Sequence, residues 1–132
     1  MTVELTALFA AVCTLFVIIG VQGLAHTFAR SLAFNLGPRD EPPPTTKFQG
    51  RAARTLANHI EGLAMFAPLV LIAHVSDIAT PTTAWGAMLF AGARVVYAPL
   101  YLLGVPVART LAWTVGAVGL VMIGVELVRF GL

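Results

Sequence analysis

Four long apolar stretches, separated by short polar or proline-marked breaks, set the pattern of this chain. Residues 5–29 contain no Asp, Glu, Lys or Arg, and neither does the run from Gly62 to Val75. Ile78 to Ala93 and Val95 to Ala108 flank a single charge, Arg94. After Arg109 the chain stays uncharged until Glu126 and Arg129. Each stretch is long enough to cross a hydrocarbon core of about 30 Å as a helix. The pattern predicts spans over about 5–30, 49–75, 81–103 and 106–130. Gly37, Pro38 and the prolines 42–44 mark the one substantial loop, over residues 35–47. Thr80 reads as an N-cap followed by Pro81, and Gly104 and Pro106 separate the last two spans. The short second and third breaks make their flanking helices antiparallel neighbours. The expectation is an all-α membrane protein, a four-transmembrane-helix bundle forming one domain over 1–132.

Two polar stripes interrupt this pattern. Arg51, Arg54, Asn58 and Glu61 fall within roughly 80° of one another at about 100° per residue, so they share a face of the second helix. Phe90, Arg94, Tyr97 and Tyr101 follow i, i+4, i+7, i+11 and share a face of the third. The first stripe is either a solvated helix end or one wall of a binding site. The tyrosines suit an interfacial aromatic belt, although Tyr97 lies deep for one. Glu61 and Arg94 lie about three turns from the same end of antiparallel helices. Insertion of either charge costs at least about 2.5–3.5 kcal/mol unless it is paired or functional, so a direct ion pair within or between subunits is one reading and a binding site the other. Arg109 starts the fourth helix, where a lone basic residue also serves as a topology determinant.

Composition narrows the function classes. Of 132 residues, 58% are hydrophobic and only 11% charged, too few to cover a water-facing surface. A net charge of +2 with no basic run gives no footprint for nucleic acid. The single cysteine, Cys13, excludes an internal disulfide, and the scattered His26, His59 and His74 offer no metal site. Gln22 and His26, at i and i+4, share a face turned towards protein. Arg30, Arg39, Lys47, Arg51, Arg54 and Arg109 all fall at the loop end. By the positive-inside rule that end is cytoplasmic and both termini are periplasmic. Arginine forks around two tyrosines and an asparagine suit an anionic ligand with several carboxylates. Asn58 and Glu61 are then placed to receive its ammonium or amide groups.

The spacing Arg51-x-x-Arg54-x-x-x-Asn58-x-x-Glu61, followed by Phe66, resembles a signature of the MAPEG superfamily, the membrane-associated proteins of eicosanoid and glutathione metabolism. Arg94-x-x-Tyr97-x-x-x-Tyr101 with Arg109-Thr110 resembles its second signature, and the likeness extends over nearly the whole chain. Gly62 departs from the branch whose pattern resembles Glu-Tyr, and the chain looks more like the short bacterial members, in an inner membrane. The resemblance implies a homotrimer holding glutathione, as co-substrate, between neighbouring subunits. It implies contacts from Arg54, Asn58 and Glu61 on one helix and from Arg94, Tyr97 and Tyr101 on another, with Arg51 nearer the surface. Arg109 would stabilise the glutathione thiolate for attack on a hydrophobic small molecule from the bilayer, and Thr110 stands where some members carry a hydroxyl. Arg30 and Asp40 stand roughly where functional loop residues do. The expected activity is a glutathione transferase or peroxidase. The alternatives are a non-catalytic member whose polar cluster is structural, and a small carrier.

Overall fold

The computed structural model describes residues 1–38, 40 and 44–131; Arg39 of the basic loop set and the prolines 42 and 43 lie outside it. Four long helices run antiparallel in sequence: α1 (Val3–Phe28), α3 (Lys47–Val75), α4 (Pro81–Leu103) and α5 (Pro106–Gly131), with one extra turn, α2 (Leu32–Leu36), after α1. At about 1.5 Å per residue the long helices reach roughly 34–44 Å, enough to cross the bilayer and protrude or tilt. All four carry span-like hydropathy. The protein is a multi-pass helical membrane protein.

The breaks have local causes. Thr2 caps α1 and Ser31 caps α2 through their side-chain oxygens. Thr46 and Gln49 form a reciprocal capping box on α3, as Thr80 and Thr83 do on α4, and Pro81 opens α4 where its missing N–H has no partner to lose. Asp77 turns the chain after α3 with φ 55°. Gly104 ends α4 at φ 77°, a conformation any Cβ would strain. Both α3 and α4 continue through an internal proline, Pro68 and Pro99.

The bundle is built inside out relative to a water-soluble one. Large apolar side chains such as Phe9, Phe16, Leu71 and Val121 face outward. Small residues, among them Ala7, Ala11, Ala87 and Gly86, face inward. Without a hydrophobic force between helices in lipid, close backbone approach supplies the packing. The α4–α5 contact shows it: a Cβ on Gly119 would run into the Gly86 carbonyl oxygen, and one on Gly86 would come within 2.7 Å of the Gly119 oxygen. At the centre Phe66 stacks on Phe90, with centroids 4.1 Å apart and planes at 25°, beside buried Ile123 and Val70.

Buried polar groups tie the helices on either side of that centre. At the termini end Thr83 Oγ1 donates to Glu4 Oε1 at 2.6 Å, joining the start of α1 to the capping box of α4. Mid-bundle, His59 Nε2 donates to the Ala11 carbonyl at 3.0 Å; a carbonyl only accepts, which puts the proton on Nε2. Gln49 Nε2 donates to the Ala25 carbonyl at 3.4 Å near the loop end.

Two stability predictions follow from these contacts. Gly119→Val should lower stability by about 1–3 kcal/mol in reversible detergent unfolding, whereas lipid-facing Val121→Ala should stay within about 0.5 kcal/mol. Thr83→Val removes one half of the α4 capping box and one of the hydrogen bonds to the Glu4 carboxylate, a loss of about 1–2 kcal/mol, while Thr83→Ser should keep most of it. Equal behaviour of the Val and Ser variants would remove the hydroxyl from the account.

Candidate functional site

The polar stripes meet in the loop-end half of the bundle, where α3 and α5 begin and α4 ends. Their side chains form a ladder from the apolar centre outward. The Arg94 guanidinium carbon lies 5.0 Å from the Phe90 ring centroid and 5.6 Å from that of Tyr97. Tyr97 and Tyr101 follow at 5.5 Å, ring to ring. At the outer end Tyr101 is engaged twice. Its hydroxyl accepts from Arg54 Nε at 3.2 Å, and its ring lies 4.6 Å from the Arg109 guanidinium carbon. The i, i+4, i+7, i+11 spacing on α4 produces this stacking, since each step returns the side chain to one face.

Arg94 is the anchor. It is 3% exposed, and its Nη1 donates to Asn58 Oδ1 at 2.7 Å, a short charge-assisted bond. A Glu61–Arg94 ion pair does not form within the protomer. Arg94 meets α3 at Asn58 and Gly62, four residues apart and so on one face. Glu61 is turned about 60° from Asn58 and about 100° from Gly62, and its side chain is exposed instead. Among the described residues the one ion pair within 4.0 Å is Arg129–Glu126, at 3.8 Å and at the opposite end.

The stripe residues therefore divide by accessibility. Arg94 and Tyr97 are buried and back the wall. Asn58, Tyr101 and Arg109 are half-buried, and Arg54 and Glu61 are exposed along its front. Arg51 sits apart, against the α4 terminus: a Cβ on Gly104 would lie 3.2 Å from its Nη1. A cation there offsets the negative end of the helix dipole, which gives Arg51 a structural task. Thr110 does not join the cluster; it is exposed and its hydroxyl donates to the Pro106 carbonyl at 2.9 Å. Arg30 lies elsewhere, stacked 5.0 Å from the Phe34 centroid beside a polar cavity of about 400 Å³ along α1 that Gln22, His26 and Asn35 also line. An apolar cavity of about 370 Å³ between α1 and α4 includes Cys13.

Electrostatically the cluster is lopsided. Arg54, Arg94 and Arg109 converge on two tyrosines and an asparagine, and none has a carboxylate within ion-pair distance among the described residues. Phenol rings and an amide oxygen spread such charge without neutralising it. Guanidinium groups without an ion-pair partner favour an anion, most strongly at the buried Arg94. Glu61 adds one exposed acceptor beside them. The arrangement suits a ligand with more than one carboxylate and a single cationic group. Sequence reasoning missed Gly62 as the seat of Arg94; its signal was the spacing Asn58-x-x-x-Gly62-x-x-x-Phe66, which opens a gap on the face carrying the amide.

No curated protein and no solved structure matches the chain. A family model does, that of the MAPEG family, over residues 3–129 and so over all four long helices except the last two residues of α5. On that match, and on the membrane helix bundle it accompanies, the chain belongs to the MAPEG family.

Proposed function

We propose that this is an integral membrane glutathione transferase or peroxidase, working as a homotrimer in a bacterial inner membrane with the loop end cytoplasmic. The observation that carries the reading is the set of arginines around Tyr97 and Tyr101 with no carboxylate within ion-pair distance among the described residues. Glutathione brings two carboxylates, one ammonium and a thiol. Arg54 and Asn58 lie where they can hold carboxylate or carbonyl oxygens, and Glu61 where it can take the ammonium. Arg94, Tyr97 and Tyr101 set the depth of the wall, Arg51 guards its rim, and Thr110 becomes a contact only from a neighbouring subunit.

Arg109 is the proposed catalytic residue. It sits half-buried in the first turn of α5, where the helix dipole adds to its charge. A free thiol ionises near pH 8.5, and a guanidinium beside it favours the thiolate and lowers that value. The sulfur lone pair then forms a bond to an electrophilic carbon, displacing a leaving group or passing charge to an atom that takes up a proton. With a hydroperoxide the thiolate attacks the terminal oxygen, the O–O bond breaks and the alkoxide leaves as the alcohol after taking a proton; a second glutathione thiol then attacks the sulfenic acid, giving the disulfide and water. The electrophile arrives from the lipid side.

A non-catalytic member is the second reading. Burial of Arg94 and Tyr97 and the position of Arg51 against the α4 terminus favour it, because these groups have structural tasks without any ligand.

Millimolar glutathione should raise the melting temperature of the purified protein, by about 2.7 kcal/mol of stabilisation at a hundredfold excess over Kd. Arg109→Ala should lower conjugation with a chlorodinitrobenzene-type electrophile by about 10²-fold and move the rise of rate with pH upward, because the thiolate loses its cation. Absence of both binding and turnover in the wild type would leave the structural reading in place. A reporter fused to the C-terminus should be active in the periplasm.

A further inference from the structure

Gly62 is an unexpected residue in the middle of a 29-residue helix. Glycine weakens a helix interior relative to alanine, and no turn requires it here. It is buried, and the space its missing Cβ leaves is occupied. A Cβ there would overlap Arg94 Nη2 and approach Cζ to 2.6 Å and Nε to 2.9 Å. The guanidinium thus lies directly on the α3 backbone. Asn58, one turn before, takes its Nη1, and Phe66, one turn after, stacks on the Phe90 ring beneath it.

This seat has a chemical consequence. Arginine carries only donors, so Asn58 must offer its amide oxygen to Arg94. Its Nδ2 then points the other way and makes no hydrogen bond among the described residues, on a side chain that is only half-buried. We propose that Gly62 is a positioning residue: by seating Arg94 it fixes the polarity of the Asn58 amide, which turns its N–H donors away from Arg94 and binds a carboxylate or carbonyl oxygen of the ligand, not its ammonium. The ligand half of this proposal rests on the glutathione reading. It leaves Glu61 as the carboxylate of the stripe for a cationic group, and it reverses the role expected for Asn58 from spacing alone.

Asn58→Asp tests the polarity. The new carboxylate keeps its bond to Arg94, so the melting temperature should hold or rise, but it has no donor for the ligand and repels an anion. Glutathione affinity, measured by calorimetry in detergent or nanodiscs, should fall at least about tenfold, the loss expected for a hydrogen bond to a charged group. Unchanged or tighter binding would overturn the assignment, because a carboxylate serves an ammonium as well as an amide oxygen does.

Gly62→Ala tests the seat. It should lower both melting temperature and glutathione affinity, although alanine is the better helix former. In an Arg94→Ala background the same change should cost no further affinity and no stability, since nothing remains to be displaced. An equal loss in both backgrounds, or a stabilised Gly62→Ala protein with normal affinity, would refute it. If wild-type protein binds no glutathione, the ligand half falls with the functional reading. The melting-temperature cycle between Gly62 and Arg94 still decides the seat.

Discussion

A guanidinium held at mid-membrane depth needs protein groups around it, and the loop-end half of this bundle is arranged around holding Arg94, with its Nε buried and unpaired among the described residues. Water cannot reach a side chain 3% exposed, so protein groups take its place. Asn58 accepts one N–H, Phe90 and Tyr97 offer ring faces, and Gly62 gives way so that the α3 backbone lies beneath it. These contacts fix how α3 and α4 face each other. The same ladder carries through Tyr97 to Tyr101, and so sets where Arg54 and Arg109 converge.

The opposite end solves the inverse problem for an anion. Glu4 is 5% exposed and takes the Thr83 hydroxyl, while Thr83 also closes the capping box of α4. One residue thereby secures a helix start and a buried charge. Between the two polar ends lies the dry centre of Phe66, Phe90, Val70 and Ile123, where close approach at Gly86 and Gly119 replaces a hydrophobic driving force. The protein is thus layered along the membrane normal, with a carboxylate, an apolar middle and a cation-rich wall.

Much of this was legible from residue order. Hydropathy marks four spans because lipid tolerates few charges, and helix periodicity placed each polar stripe on one face. Equal depth from the same membrane edge also suggested that Glu61 and Arg94 meet. Depth fixes height along a helix but not rotation about it, and rotation gave Arg94 to Asn58 and Gly62 instead. Glu4 precedes the first apolar run, and nothing local announces that Thr83, far along the chain, donates a hydrogen bond to it. The short helix α2 and the tie from His59 to the Ala11 carbonyl were likewise hidden, because each depends on a partner that periodicity does not specify. Any oligomeric state is invisible for the same reason, since it depends on a surface matching a second copy.

The division of the stripes into a buried back and an accessible front bears on how such a site persists. Arg94 and Tyr97 hold the helices together whether or not a ligand binds, so the bundle carries their desolvation as part of its own stability. Arg54, Glu61 and Arg109 have no comparable structural hold: two are exposed, and the third is half-buried with its guanidinium on the Tyr101 ring. A structural cluster alone would gain by neutralising its guanidinium groups, and Glu61 is one helical turn from a position that could do so. Instead the carboxylate is turned outward and the arginines are left with phenols and an amide. Under the proposed function an anionic ligand would supply that negative charge.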